Sequence, residues 1–212
     1  MKRCLHEKKR KNLIIVIFLL IPLLLVSVLL FEDNRTPQTV ASKVEKPKTE
    51  ITVLEAVNLA YPSALKWNKN AQLLDVINID LDKPGKSIGS NGKRKYWNVQ
   101  FAVPDTNLHF LVTIHEGEID KTTDLTNKVN SPIPKEQFIK LSDINYDSPQ
   151  LLKKAVKKGG VQPGKEWAKG YNFNLYKDPE TNITQMVVIG WNSDYKKMAA
   201  ISFNANNGKL LK

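Results

Sequence analysis

Two histidines and a scatter of carboxylates are the groups through which the body of this 212-residue chain could do chemistry. His109 and His115 share parity on one extended segment, so a strand would turn both to one face, but it would hold them roughly 20 Å apart. That is too far for a single metal ion, and they read as separate surface histidines. Cys4 is the one cysteine, which excludes an intrachain disulfide and a multi-thiolate zinc site. Asp75, Asp80 and Asp82 surround one strand end, and Glu116, Glu118 and Asp120 another. A calcium cage needs a converging loop with an acid at about every second position, and each group keeps that spacing for only a few residues. The chain has no His-Glu-x-x-His and no glycine-rich phosphate loop at a strand-to-helix turn. A non-enzyme with no cofactor and no bound metal is expected.

Positive charge is the more informative signal. Lys93, Arg94 and Lys95 close a loop, and Lys153, Lys154, Lys157 and Lys158 line one side of a helical segment at i, i+4 spacing. Together they make a candidate patch for polyanions, either lipid headgroups or phosphate-bearing envelope polymers. Trp167, in a loop after Gln162-Pro163-Gly164-Lys165-Glu166, is the candidate aromatic contact for a partner.

Lysine and arginine number 32 against 21 acids, a net +11. Six of those cations and one acid fall in residues 1–12, so nearly half of the excess belongs to a short basic tail. Residues 13–31 (LIIVIFLLIPLLLVSVLLF) then run without a charge. At ~1.5 Å per residue they reach roughly 28 Å, the thickness of a hydrocarbon core. Glu32-Asp33-Asn34-Arg35 follows in place of a small-residue cleavage site, so a retained single-pass anchor is expected. The basic tail keeps the N-terminus cytoplasmic, and everything after Phe31 lies outside the membrane. Nucleic acid is thereby excluded as a partner. Residues 32–49 are polar, contain Pro37 and Pro47, and read as a linker.

The elements that must position any site begin at Thr52-Val53-Leu54-Glu55, a capping box opening a helix over about 53–68 with a kink or break at Pro62. Strands are predicted at 72–81, 96–101 and 108–114, the first ending in an alternation that gives it one wet face, the second with Trp97, Val99 and Phe101 on one side. A second helix over 149–158 takes Ser148 as N-cap, Pro149 at its first turn and Gly159-Gly160 as its stop. Three strands follow, near 169–177, 183–192 and 197–204.

Setting Trp97-Asn98-Val99-Gln100-Phe101 over Tyr171-Asn172-Phe173-Asn174-Leu175, with Asp178 as one extra residue, brings Pro104-Asp105-Thr106-Asn107 over Pro179-Glu180-Thr181-Asn182. Val112 and Ile114 then meet Val187 and Ile189, and Gly117 and Gly208 close the two halves. A duplicated unit is expected, each copy a helix laid on an antiparallel sheet. Helix followed by strands, with the ending Ile-Ser-Phe-Asn-Ala-Asn-Asn-Gly-Lys-Leu-Leu at 201–211, resembles a PepSY-type domain. The resemblance is stronger over 148–212 than over 51–121, and Asn204 and Asn207 stand where that family has an acid and a threonine. It implies a non-catalytic envelope module that inhibits or modulates peptidases or binds other envelope proteins.

The expected fold class is therefore α+β: a transmembrane helix at 13–31 behind a tail at 1–12, a linker at 32–49, PepSY-like units at 50–125 and 148–212, and a connector at 126–147. The expected function is an extracytoplasmic binding or regulatory module for an envelope protein. Anionic polymer or headgroup binding through the lysines, and an unrecognised hydrolase, stand as alternatives.

Overall fold

Residues 49–79, 87–126, 128, 131–165 and 169–211 are described by the structure, a computed structural model. The predicted tail, the predicted transmembrane helix at 13–31 and all but the end of the linker lie outside the described residues. Among those described, no helix is long and apolar enough to cross a membrane.

The capping box at Thr52 forms as predicted. Its hydroxyl accepts from the Glu55 N–H at 3.1 Å, and the Glu55 carboxylate accepts from the Thr52 N–H at 2.8 Å. From this start α1 (Val53–Trp67) passes through Pro62 without ending and buries Val53, Ala56, Val57, Ala60 and Ala64. Small residues on that face let the helix lie close against a sheet. Four strands follow, β1 (Gln72–Asn78), β2 (Tyr96–Ala102), β3 (His109–His115) and β4 (Glu118–Asp124). Then come α2 (Ser148–Gly159), β5 (Asn172–Lys177), β6 (Thr184–Trp191) and β7 (Met198–Asn204). The sequence hides β4 because Glu-Ile-Asp-Lys-Thr-Thr-Asp has no apolar face, which befits an exposed edge strand.

The seven strands form one antiparallel sheet in the order β4-β3-β2-β1-β5-β6-β7. This overturns the expected pair of separate units. Val112, Val99, Val76, Leu175, Met186 and Phe203 are register partners from β3 to β7, and they share one buried face with Ala60, Leu151 and Ala155 of the helices. Neither half closes a core of its own, because the buried surface continues across the β1·β5 seam. Both helices cover the same side.

The repeat also takes a different register from the one predicted. β2 and β5 flank β1, both antiparallel to it, and the hairpins they begin run away from β1 in opposite directions. With both helices on one face, two such hairpins are related as mirror images, which no rotation of L-residue chains can produce. A two-fold axis normal to the sheet at the antiparallel β1·β5 seam instead relates α1-β1-β2-β3 to α2-β5-β6-β7. The turns agree with that axis. The left-handed residue is Asp105, second in Pro-Asp-Thr-Asn, but Asn182, fourth in Pro-Glu-Thr-Asn. Their likeness is shared turn composition and not shared position.

The seam itself has only three paired positions, Asp75, Ile77 and Val76 against Tyr176, Asn174 and Leu175. Side chains supply the rest. Asn78 is buried, accepts from the Phe173 N–H at 2.6 Å and donates to Asn172 at 2.7 Å, so its amide continues the ladder where the backbones part. The helix N-termini also meet. Asp147, not Ser148, is the N-cap of α2, and its carboxylate also accepts from the Leu54 N–H of α1 at 3.1 Å. Ser148 is fully buried and serves as a rivet: its hydroxyl donates to the Gly92 carbonyl at 2.6 Å and accepts from the Val53 N–H at 3.2 Å.

Gly92 must be glycine here, since at φ +78° a Cβ would lie 2.4 Å from the Pro149 backbone. Ser148→Ala strands one buried carbonyl and one buried N–H, so a loss of about 2–3 kcal/mol is expected in chemical denaturation. A loss under about 0.5 kcal/mol would reduce the rivet to a local detail.

Candidate functional site

The side of the sheet opposite the helices carries the candidate site, and a bulge in β1 creates it. Leu73 faces the core opposite Phe101, so strict alternation would send Asp75 inward as well. The register slips between Leu73 and Asp75, and the extra residue reverses the parity. Asp75 and Ile77 then face outward while Val76 and Asn78 face the core.

Cross-strand partners complete the surface. Leu111, Gln100, Asp75, Tyr176 and Gln185 form one row across five strands, and Thr113, Asn98, Ile77, Asn174 and Val187 form the next. With strands ~4.8 Å apart, the three polar neighbours Gln100, Asp75 and Tyr176 span about 10 Å.

Some of these groups are already engaged. Tyr176 Oη donates to Gln185 at 3.4 Å, Gln185 donates to Asp178 at 3.0 Å, and Thr113 donates to Asn98 at 3.2 Å. Asp75, Gln100 and Asn174 make no side-chain hydrogen bond among the described residues. Burial, with no compensating donor, pushes the Asp75 carboxyl up to about 6. The centre of the face is thus a half-buried acid between unused amides, flanked by Ile77, which is 40% exposed.

The predicted basic patch does not assemble. Arg94 is 3% exposed, donates to the Ser87 and Lys169 carbonyls at 3.1 and 3.5 Å, and is held down to about 10 by desolvation against the opposing pull of Glu50. Its backbone pairs with Ile51, so it is a structural post under the loop. Lys93 pairs with Glu55 at 3.3 Å and Lys95 with Glu116 at 3.1 Å. Lys154 donates to the Gly208 carbonyl at 2.9 Å and lies 4.2 Å from the Tyr146 ring centre. Lys153, Lys157 and Lys158 alone of the seven remain exposed and unpartnered among the described residues. Trp167 lies outside the described residues.

The histidines also differ from expectation. His109 is 4% exposed rather than a surface group, with its Nε2 unpartnered and its pKa lowered by desolvation. His115 stacks on Tyr96 at 4.1 Å, its Nε2 3.7 Å from Glu116. Among the described residues no three histidine, cysteine or acidic side chains converge as a metal site would require.

No family model matches the chain, and no curated protein matches it. Among solved structures it is similar to a candidate lipoprotein from Clostridium difficile 630, at 19% identity over 72% of this chain and 88% of that one, with a TM-score of 0.47.

Proposed function

We propose that this chain is a non-enzymatic binding module held on the outer side of a membrane by residues 13–31. It recognises an envelope protein through the helix-free sheet face, where Asp75 receives a cationic side chain of the partner. One observation carries this reading: Asp75 is a desolvated carboxylate that no group among the described residues neutralises. A charge so placed weakens the free molecule and gains most from a lysine or arginine brought in from outside. The open amides of Gln100 and Asn174 offer both donors and acceptors to a polypeptide beside that contact.

A binding role also agrees with the shallow concavity of about 510 Å³ beside the end of α1. Its lining, which includes Tyr61, Lys69, Asn70 and Gln72, holds no carboxylate, histidine or cysteine. The PepSY-like ending at 201–211 points to a peptidase as the class of envelope partner.

The test places a photo-crosslinking residue at Gln100 or Asn174 of the full chain in intact cells, with Lys66 on the helix side as control. Adducts from the two face positions but not from position 66 are expected. The protein so identified should bind the purified chain roughly thirtyfold more weakly after Asp75→Asn, corresponding to about 2 kcal/mol. Binding should also fall as pH drops through 6 and Asp75 takes up its proton. Adducts independent of position, or affinity indifferent to Asp75→Asn, would remove the reading.

A further inference from the structure

We propose that the outward side of α2, with the C-terminal turn beside it, docks on an anionic lipid bilayer. This goes beyond the protein-recognition reading and shares with it only the placement of residues 32–212 outside the membrane.

Charge is distributed very unevenly. Residues 148–212 carry eleven lysines against four acids, whereas residues 13–147 hold fifteen lysines and arginines against sixteen acids. Beyond the basic tail, the whole positive excess therefore belongs to the last third of the chain.

The fold turns part of that excess outward on one surface. Leu151, Leu152 and Ala155 bury the inner side of α2, which leaves Lys153, Val156 and Lys157 on the opposite ridge at i, i+3 and i+4, with Lys158 beside them. The bond from Lys154 to Gly208 holds the C-terminal turn against this helix, and Lys209 and Leu210 follow directly. Val156, 44% exposed, lies between Lys153 and Lys157 on that ridge, and Leu210, 48% exposed, follows Lys209 in the chain. A dissolved polyanion would use the lysines alone. A bilayer interface takes the lysines at its headgroups and the two apolar side chains just beneath them, so the mixture favours lipid.

The layering makes the two surfaces compatible. α2 lies on one side of the sheet and Asp75 on the other, so a bilayer against α2 leaves the Asp75 face directed away from it.

For the test, the full chain carrying Cys4→Ser and Val156→Cys is labelled with a fluorophore at position 156. It is reconstituted into phosphatidylcholine vesicles with or without about a third of phosphatidylglycerol, with a headgroup quencher in the lipid. Quenching is expected only in the anionic vesicles. The triple variant Lys153→Gln, Lys157→Gln, Lys158→Gln should weaken docking roughly a hundredfold, as three interfacial lysines imply. A probe at Ile77→Cys, on the opposite face, should stay bright in both lipids. Equal quenching with and without phosphatidylglycerol, or equal quenching at 77 and 156, would overturn the proposal. Crosslinking at Gln100 should survive the triple variant, so a failure of lipid docking and a failure of partner recognition are separable.

Discussion

Trp97→Ala is expected to lower stability by about 3–5 kcal/mol and to unfold both halves of the sheet together. The indole is fully buried, donates to the Arg94 carbonyl at 3.1 Å, and sits 6.4 Å from the ring of Phe173. Trp97 belongs to β2 and Phe173 to β5, so the contact spans the seam over β1. Truncation leaves a cavity bordered by both halves and removes one of the two donors to the Arg94 carbonyl, which keeps the Ile51 N–H at 2.9 Å. Natural domains hold only about 5–15 kcal/mol in all, so a loss of this size brings the chain near its limit. Hydrogen exchange on the full chain in mild detergent would follow α1 and α2 separately. If α2 and β5–β7 kept their protection while α1 and β1–β4 lost it, the single-sheet account would fail.

Asp75→Asn is expected to do the opposite, stabilising the free chain by about 2 kcal/mol at pH 7.5 while weakening partner binding. The carboxyl titrates at about 6 in the fold against 3.8 for the ordinary group. Between those values the folded state binds more protons than the unfolded one, so stability falls as pH rises through the window from about 4 to 6. Above it the ionised form costs at most about 3 kcal/mol, the limit set by the shift. Asparagine removes the charge, so the gain should be present at pH 7.5 and vanish at pH 4. Denaturation curves at the two pH values decide the matter. No gain at pH 7.5, or the same gain at both, would show that Asp75 is well solvated and would strip the proposed site of its centre. A substitution that strengthens the fold and weakens its binding is what a residue positioned for an external partner predicts.

Much of the chain was legible from local pattern. The capping box at Thr52 and Glu55, the stop at Gly160 with φ +61°, and the inward row Trp97, Val99 and Phe101 depend on residues within a turn or a strand of one another. Local chemistry decides such features. Where the reading failed, a distant partner was responsible. Arg94 looks like a surface cation but is claimed by carbonyls at Ser87 and Lys169. Ser148 looks like an N-cap, yet its hydroxyl joins Gly92 to Val53, 95 residues away. The alternation near Ile77 suggested a wet face without revealing which residues lie on it, because one bulge reverses the parity.

The sequence by itself determined the helices, six of the seven strands, the asymmetry of charge and the scarcity of reactive groups. Those follow from composition and from periods of two and 3.6 residues. Only the tertiary structure decided that the halves share one sheet and, among the described residues, which lysines remain free and that no group neutralises the acid at the centre of the helix-free face. Each of these depends on which strand lies beside which, and β1 meets β5 across nearly a hundred residues of chain. Pairing at that range is chosen by the fit of the whole buried surface, which no local run of residues contains.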